Sequence, residues 1–423
     1  MLLDRTKAPE FVIPADFELA SPQVFALSGN RNLFFFPTDG LQAVKLEVVG
    51  NGQRLQLPLH KSMVPSFTLQ LLSEGTSRMS EAEISEFFDF HASEVHPLIS
   101  YSHEGMSLLT TKSHLSEVLP VFLSLFDEAV FPDESLQKRK SQRKLSIKME
   151  REKSASRASF LFRKALFGDN HPYGQEITEA HIDQVYQSDL INYYQTRLWT
   201  DTEFFLCGDL NEDEVNAIAK SLNRLPFHLK KTTPDLPEKT TVPTILEERP
   251  TALQSSIRIG SWSIPKSHPD FMALSVFNTV LGGYFGSRLI KNIREDKGHT
   301  YGISSSLAEI GDYSYWVIGA DVQKAYRQEV IDEIYREIGL LSKEAISPQE
   351  LEVIRNYLIG QMVSRFSSSF DMLDRFRSVH HSGLDFDFYH KKLAFLRMFT
   401  AEDILAIGQK YFSNPPFTEV IVG

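Results

Sequence analysis

The two halves of the chain carry the same secondary-structure signals in the same order. Residues 41–48 alternate between apolar and polar side chains and predict a half-buried strand, and residues 253–259 do so again 212 residues later. Helix-start signals follow at Pro132 and Pro348, which are 216 residues apart, with acidic residues after each proline. Two pairs of signals at nearly one offset, in one order, indicate a duplicated α/β unit.

A polar, proline-punctuated stretch lies between these halves at residues 230–243 and is typical of an exposed linker. A chain of 423 residues also exceeds what one hydrophobic core usually serves. We therefore expect a first domain over residues 1–229, a linker over 230–250 and a second domain over 251–423. Strand pairs with helices segregated to one side predict an α+β fold, made of two homologous sheet-plus-helix sandwich domains.

The composition argues against several classes of function for this chain. A formal net charge of -11 argues against nucleic acid as a partner, because nucleic-acid binders present basic surfaces. The single cysteine, Cys207, excludes an internal disulfide and ends an apolar run, so we expect a buried strand residue and not a nucleophile. No run of 18 apolar residues and no secretory leader is apparent. We expect a soluble, cytoplasmic protein with no membrane partner.

Three segments carry a likeness to a known family. Residues 71–76, followed by a helical pattern over 80–90, resemble the segment just after the zinc motif of pitrilysin- and insulinase-like (inverzincin) metallopeptidases. Residues 168–174 resemble their Gly-His-Pro-x-Gly turn, and residues 287–301 closely resemble their second-domain signature. The chain is thus similar to the two-domain bacterial members and to the subunits of the mitochondrial processing peptidase, over nearly its whole length.

The zinc motif itself is absent. Active members carry His-x-x-Glu-His on a helix, where the two histidines bind zinc and the glutamate takes a proton from the metal-bound water. A downstream glutamate supplies the third ligand. The resemblance places these functions at Ser66, Leu69, Gln70 and, downstream, Leu145 or Ser146. Serine and glutamine are poor zinc ligands, and leucine cannot act as a base. The resemblance therefore implies a chain that binds no metal or other cofactor and does not hydrolyse peptides alone.

Histidines elsewhere offer two candidates for a replacement metal site. His91, His96 and His103 lie close in sequence, but their spacing does not place them on one helical face, and the stretch aligns with a strand pair in the family. His380 and His381 are adjacent and should face apart on a helix. We interpret all five as independent packed or surface residues.

The segment from Lys138 to Lys153 predicts a strongly basic helix, with eight basic residues and two acids. It can be a solvated surface. Alternatively, since the resemblance places this helix beside the former zinc site, its cations can take over the electrostatic role of the metal and attract acidic peptide segments.

The second-domain signature keeps Arg294 and Tyr301. The resemblance implies that they reach across the chamber to a zinc site, where a cation and a phenol stabilise negative charge on the substrate oxygen. The alternative is structural: Arg294 pairs with Glu295 or Asp296, and Tyr301 packs.

Together these features resemble the non-catalytic subunit of a heterodimeric zinc peptidase. The resemblance implies a homologous partner that carries the zinc, and an unfolded peptide substrate held partly as an added strand on a sheet edge. The loop 282–286 is much shorter than the glycine-rich loop of the processing peptidase, which argues against presequence-type specificity. A structural core-type subunit and a stand-alone peptide-binding protein remain as alternatives.

Overall fold

The computed structural model describes Leu19 and residues 21–229, 244–414 and 417–423. The strands of the first half are β1 (Gln23–Leu27), β2 (Arg31–Pro37), β3 (Ala43–Asn51), β4 (Glu94–Ile99), β5 (His103–Thr111) and β6 (Glu203–Gly208). Its helices are α1 (Val64–Leu71), α2 (Glu81–Phe90), α3 (Leu115–Ser124), α4 (Asp133–Glu152), α5 (Ser154–Phe167), α6 (Glu179–Asp183), α7 (Gln187–Thr196) and α8 (Glu212–Leu222).

The second half follows the same plan. Its strands are β7 (Thr244–Glu247), β8 (Gln254–Trp262), β9 (Thr300–Ile310), β10 (Tyr313–Gln323) and β11 (Thr418–Val422). Its helices are α9 (Phe271–Asn278), α10 (Arg327–Leu341), α11 (Pro348–Ser364), α12 (Ser369–His380), α13 (Asp387–Met398) and α14 (Ala401–Ile407). Three π-helical segments span Thr279–Gly283, Ile290–Asp296 and Gly408–Phe412.

The strand order repeats between the halves. The first sheet has the order β1-β2-β6-β3-β5-β4, and the second has the order β7-β11-β8-β10-β9. In each half the last strand is flanked by one parallel and one antiparallel neighbour, and a hairpin completes the sheet. The predicted α+β fold is confirmed. The duplication that the sequence signals indicated is visible as one topology used twice.

Local sequence explains the helix starts. The α4 helix begins directly after Pro132, and α11 begins at Pro348 with the Ser347 hydroxyl accepting the Glu350 backbone N–H. A proline needs no amide partner in the first turn, and a serine at the cap satisfies one that does. Both helices begin where the sequence predicted.

The expected linker is shorter at its C-terminal end. Residues 230–243 lie outside the described residues. Residues 244–247, which we placed in the linker, form β7 and pair in parallel with β11 from Glu419 to Val422. Pairing with β11 satisfies the backbone hydrogen-bonding groups of these residues. The polar stretch that precedes them along the chain gave no indication of this strand.

In each half, one helix packs on the sheet of the other half. The α12 helix packs on β2 and β6 of the first sheet, where Phe376 contacts the rings of Phe34 and Phe205. The α5 helix packs on β8 and β11 of the second sheet, where Phe162 and Phe167 belong to a shared apolar cluster. The outer faces of both sheets are therefore covered by helices from the opposite half.

A buried ion pair accompanies the α12 contact. Glu47 of β3 is 1% exposed and accepts hydrogen bonds from Arg377 of α12. Lys45 lies 3.0 Å from the same carboxylate and 2.9 Å from Asp374. Charge pairing therefore joins the first sheet to the second half at a site with little access to water.

Cys207 lies fully buried in β6, as expected. Burial raises the pKa of its thiol to about 12, so the thiol stays protonated at neutral pH. Within the described parts of the chain, no helix has the length and apolarity needed to cross a membrane.

Candidate functional site

The candidate site of the second half is built on an irregular helix and an edge strand. Arg294 lies on the π-helical segment 290–296, and Tyr301 is the second residue of β9. Gly298 lies between them with φ +66°, a left-handed conformation that glycine adopts without strain. Segments of π-helix are frequent at functional sites. Here the segment and the turn bring the two side chains to one side of the β9 edge.

The neighbouring charges of this segment are already paired. Arg288 donates to both carboxylate oxygens of Glu350, at 3.0 and 2.9 Å. Lys297 donates to Glu329 at 2.8 Å and to Glu333 at 3.0 Å. These ion pairs hold the charges that flank the segment, whereas Arg294 forms no ion pair with any described residue.

Arg294 contacts aromatic rings in place of a carboxylate. Its guanidinium lies 4.8 Å from the ring centre of Phe285 and 5.3 Å from that of Tyr301. Among the described residues no acid forms an ion pair with it, so the alternative interpretation, a pairing with Glu295 or Asp296, does not match the structure. Tyr301 is 91% exposed and therefore does not pack, contrary to that alternative. A cation held between two aromatic faces keeps its N–H groups available for an oxygen ligand.

Phe285 is a member of this group that sequence reasoning missed. It lies in the short loop 282–286 and is 62% exposed. The only sequence signal was an aromatic residue between glycines. An exposed Phe285, a cation and a phenol together form a surface suited to a peptide backbone: apolar contact from the ring, and hydrogen bonds to a carbonyl oxygen from the other two.

The zinc-motif positions lie on and near α1 and do not fit a metal. Ser66 accepts a hydrogen bond from the Arg54 guanidinium at 2.9 Å. Leu69 is 1% exposed and belongs to the core of the first half, and Gln70 is half-buried. On α4, Leu145 is 60% exposed, and Ser146 donates to Glu150 at 2.8 Å. A leucine in the core and a cation against the first ligand position both oppose Zn²⁺.

Arg54 is a second residue that sequence reasoning missed. It lies on the 3₁₀ turn Arg54–Gln56, and its guanidinium stands 5.5 Å from the ring centre of Tyr101. Behind it, the fully buried Glu104 accepts a hydrogen bond from Tyr193 at 2.5 Å. Burial raises the pKa of Glu104 to about 7, while Tyr193 and Arg54 lower it. A fixed cation thus lies beside the first ligand position of the family motif.

Comparisons with known proteins agree with this description. Residues 187–358 match the family described as the peptidase M16 inactive domain. These residues are therefore similar to the M16 peptidase family. The chain is 24% identical over 331 residues to the uncharacterized zinc protease YmxG of Bacillus subtilis (strain 168), covering 77% of this chain and 80% of that protein. It is 22% identical over 250 residues to the probable inactive metalloprotease YmfF of the same organism, covering 57% of each.

The fold is shared with solved M16 structures. The crystal structure of the peptidase M16 inactive domain from Pseudomonas fluorescens superposes with a TM-score of 0.85 at 20% identity, covering 95% of this chain and 98% of that one. At this level of sequence identity, the structural similarity shows a shared fold and nothing further. The chain thus combines an M16 fold with motif positions that cannot hold the family metal.

Five cations of the basic helix α4 form ion pairs, four with carboxylates of other segments and one with Glu150 of the helix itself. Its ion pairs are Arg139–Glu74, Arg143–Glu150, Lys144–Asp183, Lys148–Glu179 and Arg151–Glu176. Paired cations attract acidic peptides only weakly. The plain interpretation of α4 as a surface helix fits these contacts better than an electrostatic replacement of the metal.

The three histidines of the first half have separate environments. His91 binds the Glu117 carboxylate and the Phe87 carbonyl oxygen, each at 2.8 Å. His96 is largely exposed and lies 3.3 Å from Glu94. His103 stacks on His381 of the second half, with 3.7 Å between ring centres. The structure does not bring them together, and across the residues it describes no group of three or more His, Cys, Asp or Glu side chains can hold a metal ion.

His380 and His381 do not face apart, as we expected from their adjacency. Both lie within reach of Glu203 of β6, with Nε2 to carboxylate distances of 2.7 and 3.6 Å. The reason is that α12 ends at His380, so His381 lies at the cap, where both side chains can turn toward the first sheet.

This histidine cluster predicts an acid-sensitive fold. Burial and the neighbouring His381 and His380 lower the pKa of His103 to about 3, although the Glu203 carboxylate opposes the shift. The unfolded chain takes up a proton at His103 below about pH 6.5, and the folded chain does not, so stability falls as the pH falls through this range. We expect the free energy of unfolding to be about 2 kcal/mol lower at pH 5 than at pH 7 from this residue.

Urea unfolding at the two pH values tests this expectation. The variant His103→Phe keeps a ring in the stack and should lose about 2 kcal/mol of the pH dependence, while the exposed His96→Phe should keep all of it. An unchanged pH dependence in His103→Phe would contradict the assignment.

Proposed function

We propose that this chain is the non-catalytic subunit of a heterodimeric zinc peptidase, in which Arg294 and Tyr301 act in the active site of a homologous, zinc-bearing partner. The observation that carries the proposal is the contrast between the two halves. The motif positions of the first half are filled by a core leucine and a serine bonded to Arg54. In the second half the phenol is exposed, the guanidinium is partly exposed, and neither has an acidic partner among the described residues.

An isolated structural role accounts poorly for this contrast. Exposed aromatic side chains that hold an unpaired arginine do not stabilise the fold they stand on, since both rings remain largely in water. A core-type subunit would have no need of them. A partner that brings a polarised carbonyl oxygen to this surface would use the guanidinium and the phenol as donors.

The substrate is an unfolded peptide, bound partly through its backbone. One edge strand of the first sheet, β4, carries Pro97. A proline is tolerated in a strand where its missing N–H faces away from the paired neighbour, so the free edge of β4 has one donor fewer. We infer that strand addition at β4 is weak in this chain and that the Arg294 surface supplies the firmer contact.

Zinc belongs to the partner in this proposal. We expect the purified chain to contain far less than one equivalent of zinc by elemental analysis, and to leave unstructured peptides uncleaved with or without added zinc. The triple variant Ser66→His, Leu69→Glu, Gln70→His should still be inactive, because three protein ligands define the family site and the downstream glutamate is missing. Chelator-sensitive cleavage by the contaminant-free chain alone would contradict the proposal.

The direct test is reconstitution. An M16 chain of similar size with an intact His-x-x-Glu-His, from the same genome, is mixed with this chain, and complex formation is followed by solution mass. We expect a one-to-one complex whose peptidase activity exceeds that of the partner alone. A stable complex without any gain in activity would favour the structural core-type subunit. A chain that binds unfolded peptide and forms no complex would favour the stand-alone binding protein.

A further inference from the structure

A cavity of about 420 Å³ lies in the second half, and its lining includes Gly283 of the loop 282–286 but neither Arg294 nor Tyr301. Its walls come from the helices α9, α11, α12 and α13 and from strand β9. None of the residues that line it is an aspartate or glutamate, whereas four are cationic: Lys266, Arg365, Arg375 and Lys392. Such a lining is unusual in a chain with 55 acidic residues and a net charge of -11.

Only one of these four cations is neutralised. Lys266 forms an ion pair with Glu309 at 2.5 Å. No carboxylate among the described residues forms an ion pair with Arg365, Arg375 or Lys392. Asp371 lies one turn before Arg375 on α12, but its carboxylate accepts hydrogen bonds from Ser367 and Ser368. Arg365, Arg375 and Lys392 therefore line one cavity without an ion-pairing carboxylate among the described residues, and Asp371 acts on Arg375 only through space.

One of these groups is unsatisfied as well as unpaired, and a second is surrounded by like charges. The Nε–H of Arg375 is buried and has no hydrogen-bond acceptor. Burial and the neighbouring Arg365, Lys266 and Arg375 together lower the pKa of Lys392 to about 8. A buried donor without an acceptor and a cation surrounded by like charges both reduce the stability of the folded state. Such arrangements are concentrated at binding sites, where a ligand relieves them.

We propose that this cavity is a binding site for a small oxyanion with at least two negative charges, of the pyrophosphate or polycarboxylate class. Arg365, Arg375 and Lys392 supply the charge. The fork of a guanidinium matches the spacing of oxygens in phosphate and carboxylate groups, and the lysine adds a compact point charge. The hydroxyl groups of Ser306 and Ser378 lie in the same lining and can donate to the remaining oxygens.

The position of the cavity gives the ligand a structural consequence. Arg375 belongs to α12, whose opposite side packs on the first sheet, and Lys392 belongs to α13. A bound anion would draw α11, α12 and α13 together beneath the seam between the halves. It would therefore stabilise the chain against unfolding, in proportion to the logarithm of its concentration above the Kd.

Calorimetry and thermal unfolding of the full chain test this inference, with inorganic pyrophosphate and citrate as separate probes and potassium chloride at matched ionic strength as the reference. We expect saturable binding of at least one probe and a rise in the unfolding temperature that chloride does not produce. Preference for pyrophosphate over citrate, or the reverse, separates the phosphate source from the carboxylate source.

The variant Lys392→Gln should weaken binding at least tenfold, while the ligand-free protein should be no less stable than the wild type, because an unpaired cation has been removed. Lys391→Gln is the matched control: this neighbouring residue on α13 is exposed and paired with Asp387. It should bind both probes like the wild type. Absence of saturable binding by both probes at millimolar concentration, or wild-type binding by Lys392→Gln, would overturn the inference and leave the proposed subunit function untouched.

Discussion

Replacing Tyr301 by phenylalanine is expected to slow the chemical step of the reconstituted heterodimer about 100-fold. The phenolic O–H is a donor aimed at the charge that develops on the substrate oxygen, and loss of one such donor costs on the order of 3 kcal/mol in the transition state. Because Tyr301 is 91% exposed, its removal takes no packing contact from the folded chain. Assembly and stability should therefore stay unchanged.

Arg294→Ala should lower the rate by a similar factor, and the double variant should lose less than the product of the two single losses, since both groups act on one charge. Single-turnover cleavage, with the dimer verified by mass, is the measurement. Tyr326→Phe, another exposed tyrosine of the second half, serves as the control and should cleave at the wild-type rate. Wild-type rates from both Arg294→Ala and Tyr301→Phe would show that the pair is a structural remnant.

The second large effect concerns stability. Arg377→Met should lower the free energy of unfolding by about 3 kcal/mol, because it leaves the buried Glu47 carboxylate with Lys45 as its remaining cation. Urea unfolding measures the change. Arg336→Met, which removes the exposed partner of Glu333, should cost less than about 1 kcal/mol.

A double variant distinguishes the ion pair from simple loss of packing. Adding Glu47→Gln to Arg377→Met removes the uncompensated charge and should restore part of the lost stability. If the double variant is as unstable as the sum of the single variants, the contact acts through packing alone.

The fold could be predicted from the sequence because the patterns that indicate its strands and helix starts are local and occur twice. Alternation over a few residues predicts a strand, a proline with following acids predicts a helix start, and recurrence of both near one offset predicts duplication. The resemblance over residues 287–301 pointed to Arg294 and Tyr301, which lie only seven positions apart and are joined by a turn that Gly298 permits.

The features that escaped prediction depend on contacts between distant residues. Arg54 donates a hydrogen bond to Ser66 from a 3₁₀ turn 12 positions earlier in the chain. Such a turn has no apolar periodicity that would indicate it in the sequence. The stack of His103 on His381 and the contact of Phe34 with Phe376 join opposite halves of the chain. The cationic cavity draws Lys266, Arg365 and Lys392 from three separate segments. No spacing rule in one sequence relates such positions.

The packing of α5 and α12 on the sheet of the opposite half limits how the molecule can move. Separating the halves would remove the aromatic cover from both sheets and would break the pair between Glu47 and Arg377, so these contacts oppose a hinge motion between the described parts of the two halves. Truncation at the boundary between the halves should for the same reason give two insoluble fragments. For a peptide to enter the proposed chamber, this subunit must then move as one rigid body relative to its partner.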